Sequence, residues 1–368
     1  MATTKAAPKS VQKKKLGAKA KCESGKHPPR KLINLALQGG GAHGAFTWGV
    51  LDALLEDDRI DFEAITATSA GAVNGAVLIY GLEKGGPEKA RELLEDLWRG
   101  ISGASSMLPF NATKLLDTQL NNLHNLGVQF SAPALAVDFI TRVFSPAEFN
   151  PFDLNPLRDL LDALVKFDVV RKNKKIKFFV NATNVKTGKA RIFKTKEMTR
   201  DMILASACLP FLFKTIYIEG EPSWDGGYTG NPALYPLFYE CTSDDLMLIS
   251  INPLDIEVVP THASDILDRV NEVSFNSSLM HEMRAIAFVK KLLHQGKLSP
   301  KHYKDVRVHM IEATDVMVPL GRSSKLNTDW GFISDMRDFG AETAKNWLKK
   351  NYTWIGTRST TDIHETFL

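Results

Sequence analysis

The residues of this 368-residue chain best suited to chemistry lie in two turns. One is a serine among small neighbours, Ala67-Thr68-Ser69-Ala70-Gly71. The other is a glycine string, Gly39-Gly40-Gly41-Ala42-His43-Gly44. Each follows a short apolar run and precedes apolar residues at helical spacing, so each reads as a passage from strand to helix. On such a turn small neighbours let the backbone bend sharply, and the serine Oγ is pushed out above the sheet. The next helix aims its first amides and positive dipole end at the same point, which favours developing negative charge. The chemistry would be attack on an ester carbonyl; the plainer use of a serine there is capping the helix. The glycine string offers backbone N–H groups with few side chains in the way. Such an array can form an oxyanion hole, where losing one donor costs ~2.7–4 kcal/mol of transition-state stabilisation.

A serine nucleophile needs a base. Asp225 stands in Ser223-Trp224-Asp225-Gly226-Gly227, where Gly226 and Gly227 let backbone crowd close to a site. It could equally be the aspartate of an Asx turn. Of nine histidines only His43 lies inside a turn with chemistry of its own, and it is committed to the glycine loop. Gly39-x-Gly41-x-x-Gly44 also satisfies the dinucleotide fingerprint, but the second strand does not end in the acid that would hold a ribose. His43-Gly44-Ala45 is not the Gly-Lys-Ser/Thr of a P-loop. The sequence holds no metal-ligand cluster, so neither metal nor cofactor is expected.

The elements that must position these groups follow from periodicity. Strands are expected at Leu32–Leu37, Phe62–Ala67, 176–180, 190–193, 215–218, 246–251 and 306–311. Helices are expected at Ala72–Tyr80, 88–101, 156–166, 196–207, 262–278, 281–295 and 333–350. Strands alternating with helices predict an α/β sheet with crossover helices. In a parallel sheet both turns open at the C-terminal edge, where ligands bind in this architecture.

Charge divides the chain. Residues 1–31 hold ten Lys and Arg against the single acid Glu23, while the remainder is mildly acidic. The tail lacks the apolar surface to fold alone, so a disordered polybasic arm is expected. Its partner would be an anionic membrane or granule surface; nucleic acid would attract it too, but no motif marks a dedicated nucleic-acid site. The body, 32–368, reads as one domain. Within it the segment 103–155 breaks the α/β rhythm and concentrates phenylalanine, as a small subdomain core or an apolar cap over a site would. No apolar run is long enough to span a membrane, no secretory signal is visible, and three scattered cysteines form no disulfide framework. A cytoplasmic setting, peripheral to a membrane or granule, is the expectation.

Together these residues resemble the patatin-like phospholipases, here of bacterial type. The resemblance rests on Gly39–Gly44, the nucleophile turn at 67–71 and Asp225-Gly226-Gly227, in that order. Ala205-Ser206-Ala207-Cys208-Leu209-Pro210 and Asn150-Pro151-Phe152-Asp153-Leu154-Asn155-Pro156-Leu157 add to it. It implies a three-layer α/β/α sandwich with a central, mostly parallel sheet, and a lipid acyl hydrolase of the phospholipase A type. It makes Ser69 the nucleophile and Asp225 its dyad partner, with Gly39, Gly40 and Gly41 in the oxyanion loop and His43, Gly44, Gly71, Gly226 and Gly227 in support. The substrate would be a lipid or another acyl ester, storage-polymer esters included. The alternative is a non-catalytic surface-binding protein on a hydrolase fold. Two positions depart from the family pattern. Ala67 replaces the first glycine of the serine turn, which is harmless if that residue keeps φ negative and costly otherwise. His43 stands where the family carries Arg or Lys.

Overall fold

The computed structural model describes Met1 and residues 30–104, 153, 155–317, 320 and 322–368. The expected basic arm up to residue 29, and nearly all of the expected cap at 103–155, lie outside the described residues. Arg30 pairs with Asp58 and Asp61, and Lys31 opens the first strand, so these two belong to the folded body.

Eight strands form one sheet. They are β1 Lys31–Leu37, β2 Ile60–Ala67, β3 Lys177–Asn184, β4 Ala190–Lys194, β5 Ile216–Ile218, β6 Glu221–Asp225, β7 Asp245–Ser250 and β8 Arg307–Glu312. Hydrogen bonding follows the order β5-β6-β3-β2-β1-β7-β8, with β4 also on β3. The pairs β3–β2, β2–β1, β1–β7 and β7–β8 are parallel; β4, β5 and β6 run antiparallel to their partners.

Near-continuous burial explains the apolar runs of β1 and β7: a parallel sheet covered on both faces offers a strand no wet side. Alternate residues feed two cores. Ile33, Leu35, Leu37, Met247 and Ile249 face one core, together with the helices α1 (Gly44–Asp57), α2 (Ala70–Ala104) and Trp330–Asn351. Ala36, Leu246, Leu248 and Val308 face the other, with the helix Ala263–His294 and the C-terminal Phe367. Two helical layers on one sheet are the three-layer α/β/α sandwich expected from the resemblance.

Two expected boundaries move. Ala263–His294 is one helix rather than two, since neither Leu279 nor Met280 can break it. Conversely, the expected helices at 72–80 and 88–101 meet end to end within α2, at a break where Gly85 and Gly86 leave helical geometry just before Pro87.

The edge of β3 that faces β2 carries two strands in succession. Ala64–Ala67 pairs with Lys177–Val180, and beyond it Asp225–Ser223 pairs with Ala182–Asn184. On the opposite edge β4 pairs with 179–183, across the point where those two partners meet. So β2, arriving from one direction, and β6, arriving from the other, meet end to end.

Candidate active site

Ser69 follows the end of β2 by two residues and precedes α2 directly. Its φ is +53°, the left-handed region that a non-glycine residue enters only at a cost of roughly 1–2 kcal/mol. A helix N-cap has extended dihedrals instead, so this is not the geometry of a simple cap. Surrounding bonds impose the bend. The Ser69 amide donates to Ser206 Oγ at 2.9 Å, and Thr68 Oγ1 donates to the Gly230 carbonyl at 2.8 Å. Behind the serine, a side chain at Gly71 would collide with the carbonyls of Leu37 and Gln38, so the first turn of α2 lies directly on the end of β1. Ala67 lies inside β2 and is absent from the positive-φ residues, so its methyl group costs the turn nothing.

Asp225 ends β6 and is 1 % exposed. Its Oδ1 accepts the Gly227 amide at 2.7 Å, an Asx-type contact, while Oδ2 has no hydrogen-bond partner among the described residues. Burial pushes the carboxyl up to about 7, against the opposing influence of the Gly227 amide and the Ser69 side chain. Ser69 and Asp225 are therefore neighbours, and the Asx turn and a role beside the serine coexist. The hydroxyl and Oδ2 do not close a hydrogen bond, a contact that commonly tightens only when substrate binds. Gly226 is pressed onto the Asn181 carbonyl and Gly227 onto Phe275, which leaves no room for side chains at the turn.

The glycine loop runs from β1 into the 3-10 turn Gly41–His43 and α1. A Cβ on Gly39 would sit 2.7 Å from that of Ser69, so loop and serine touch. The Gly39 amide donates to Asn231 Oδ1 at 2.7 Å. Its carbonyl accepts Asn252 Nδ2 at 2.8 Å and Asn231 Nδ2 at 3.3 Å. Both ends of Gly39 are thus committed to side chains. Gly40 is half-buried and Gly41, at φ +60°, is exposed. Gly44 packs against Ala70, bringing the starts of α1 and α2 together.

His43 is buried and faces away from acid–base work. Its Nε2 shares a 2.7 Å hydrogen bond with Ser324 Oγ, and burial together with the nearby Lys325 charge pushes its pKa down to about 3. It is a neutral strut under the loop. Among the described residues no group of three or more His, Cys, Asp or Glu could hold a metal ion.

Sequence reasoning missed Asn231, Asn252 and the side-chain role of Gln38, whose Oε1 accepts the amides of Ile251 and Asn252 at 2.9 and 3.1 Å. Ser206 was visible only as part of a family-like stretch. A polar residue in an otherwise apolar or Pro-flanked setting, as in Ile251-Asn252-Pro253 and Gly230-Asn231-Pro232, is the one signal that could have pointed to the asparagines.

A serine on a strained strand-to-helix turn, a buried aspartate beside it and a glycine loop against it thus meet at one place on an α/β sandwich. The patatin-like phospholipase family model matches residues 35–238, more than half of the chain, and the chain belongs to that family of lipid hydrolases. Among curated proteins none matches it in sequence. Among solved structures it is similar to VipD from Legionella pneumophila, at 16 % identity and a TM-score of 0.40, covering 88 % of this chain and 67 % of that one. It is also similar to the type III effector protein ExoU, at 15 % identity and a TM-score of 0.34 over 88 % of this chain. A further structure, ExoU with SpcU from Pseudomonas aeruginosa, shows 13 % identity and a TM-score of 0.30 over 87 % of this chain. The chain spans 53 % of the length of ExoU.

Proposed function

We propose that this protein is a phospholipase A-type serine esterase that cleaves acyl chains from a lipid ester, with Ser69 as nucleophile and Asp225 as its base. Asp225 takes the Ser69 proton, Oγ bonds to the ester carbonyl carbon, and the amides of the glycine loop receive the oxyanion. Gly40 and Gly41 are the donors assigned to that task, because the Gly39 amide is already held by Asn231. As the intermediate collapses, the ester C–O bond breaks and the leaving alcohol takes the proton from Asp225. Water, deprotonated by the same carboxylate, then attacks the acyl-enzyme carbonyl carbon; as the Oγ–C bond breaks, Asp225 returns the proton to Oγ, and the fatty acid and a free Ser69 are released. Gly44, Gly71, Gly226 and Gly227 serve by allowing the close packing on which this arrangement depends.

One observation carries the reading: a left-handed serine stands beside a fully buried carboxylate whose Oδ2 has no hydrogen-bond partner among the described residues. Backbone strain of this kind gathers at functional sites. A carboxyl raised to about 7 is poised to accept and return a proton near neutral pH. Among the described residues no helix is long and apolar enough to cross a membrane. Substrate access is assigned to peripheral contact through the basic residues ahead of β1. There the basic residues ahead of β1 dock on an anionic surface of the cytoplasmic compartment.

The test is labelling with a fluorophosphonate probe, followed by hydrolysis of a short-chain aryl ester and of phospholipid vesicles. Modification of Ser69, and loss of both activities in Ser69→Ala and Asp225→Asn, is the expected result. Full activity in either variant would refute the dyad. Vesicle binding that is weakened by salt and lost on deleting residues 2–29 is expected for the docking role, and binding indifferent to both would remove it.

A further inference from the structure

The 3-10 segment Arg322–Leu326 reaches the glycine loop from far downstream in the chain. Its contacts there are made by backbone and side chains alike. The Lys325 carbonyl lies against Gly41 so closely that any side chain at Gly41 would strike it. The Ser324 hydroxyl holds His43. The Lys325 ammonium donates to Asn252 Oδ1 at 2.9 Å, and Asn252 Oδ1 is 3.7 Å from where a Gly40 Cβ would stand.

The direction of these bonds matters. Lys325 Nζ donates to the Asn252 carbonyl oxygen, and the amide nitrogen of the same side chain donates to the Gly39 carbonyl at 2.8 Å. The Gly39 carbonyl and the Gly40 N–H belong to one peptide unit. Charge at Nζ therefore polarises Asn252, Asn252 polarises the Gly39–Gly40 peptide, and the positive end of that polarisation appears at the Gly40 hydrogen. Bonds in series strengthen one another where the local dielectric is low, and an ionised donor gives the largest effect. Asn231, holding Gly39 from its other side, keeps the peptide plane from turning.

We infer that Lys325 is a positioning residue for the oxyanion site, which aims and polarises the Gly40 amide through Asn252. This rests on the esterase reading, because it gives the Gly40 amide its task. Lys325 does not touch substrate. It sets how strongly a neutral peptide hydrogen can hold an alkoxide, from a segment beyond the stretch matched by the family model.

The experiment measures kcat and KM on a neutral short-chain aryl ester, the second-order rate of fluorophosphonate labelling, and the melting temperature. It compares the parent chain with Lys325→Met, Lys325→Arg, Asn252→Leu and the Lys325→Met/Asn252→Leu pair. Losing polarisation but not the donor itself should lower kcat and the labelling rate about tenfold, below the roughly 10²–10³ of outright donor loss. KM should stay within about twofold, and Lys325→Arg should recover most of the rate. The double variant should be little slower than Asn252→Leu alone, because the two residues act in series. If Lys325→Met is poorly folded, Lys325→Arg and Asn252→Leu still decide the matter: a slow, stable Asn252→Leu chain and an active Lys325→Arg chain support the inference. Parent-like rates in Lys325→Met, or losses that multiply in the double variant, would overturn it while leaving the esterase reading intact. Failure of the parent chain to label at Ser69 would instead bring down the esterase reading, and this inference with it.

Discussion

Ala67 and Asp225 stand opposite Val180 and Ala182 on one edge of β3, with only Asn181 between those partners. Two strands far apart in sequence thus end within one residue of each other, and the serine turn begins where they meet. Asn181 fastens the junction, donating from Nδ2 to the carbonyls of Gly226 at 2.7 Å and Gly230 at 2.9 Å. The closeness of Ser69 and Asp225 is therefore a matter of sheet register, rather than of two flexible loops.

Strain at Ser69 separates stability from activity. Glycine occupies φ near +53° freely, whereas alanine carries the same penalty as serine. Ser69→Gly and Ser69→Ala should both be inactive, with Ser69→Gly more stable than Ser69→Ala by ~1 kcal/mol. Urea titrations of the two variants check this.

Asp225 makes activity and stability respond to pH in opposite directions. The rate should rise with pH as the base is freed, levelling above about 7. Between the ordinary 3.8 and about 7, the native chain retains a proton that the unfolded chain has released, so stability falls as pH rises through that window. Above it the full cost remains. Asp225→Asn keeps an acceptor for the Gly227 amide and escapes the cost. It should be dead as an esterase yet more stable than the parent at pH 8, by up to ~4 kcal/mol at 1.36 kcal/mol per unit. The difference should fade towards pH 4; denaturation curves at both pH values decide it.

Restoring the family's glycine at position 67 should bring no gain. Ala67 is a fully buried strand residue, and glycine in a strand costs roughly 0.5–1 kcal/mol. Ala67→Gly is expected to show unchanged kcat and a slightly lower denaturation midpoint.

Ser206→Ala removes the acceptor for the Ser69 amide, leaving a buried donor without its bond. A stability loss of ~1–3 kcal/mol is expected, along with a slower esterase reaction as the turn loosens. Ser206→Thr keeps the hydroxyl and should recover part of the rate.

The order of the three motifs and the sheet with crossover helices were legible because each rests on local pattern: apolar runs of strand length, glycine turns, helical spacing; the three-layer sandwich came with the family resemblance. β6 was not. Glu221–Asp225 is short and carries Pro222, which a strand usually excludes, and its pairing to β3 beyond the end of β2 is a tertiary fact. The φ of Ser69 belongs to the same class. Asn231, Asn252 and Lys325 were invisible for a related reason. Each acts on Gly39 or its neighbours across a large sequence separation, and no periodicity records such a contact.

The stretch matched by the family model ends at residue 238, yet β7 begins only at Asp245 and is an interior strand of the sheet, paired to β1 on one side and to the edge strand β8 on the other. A fragment cut at that limit would keep both proposed reacting side chains but leave β1 as a bare, sticky border, with Gln38 stripped of the amides that tether it. Homology and foldability thus have different boundaries in this molecule. Expression of residues 30–238 should give insoluble material, and any minimal catalytic piece has to extend through the last helices.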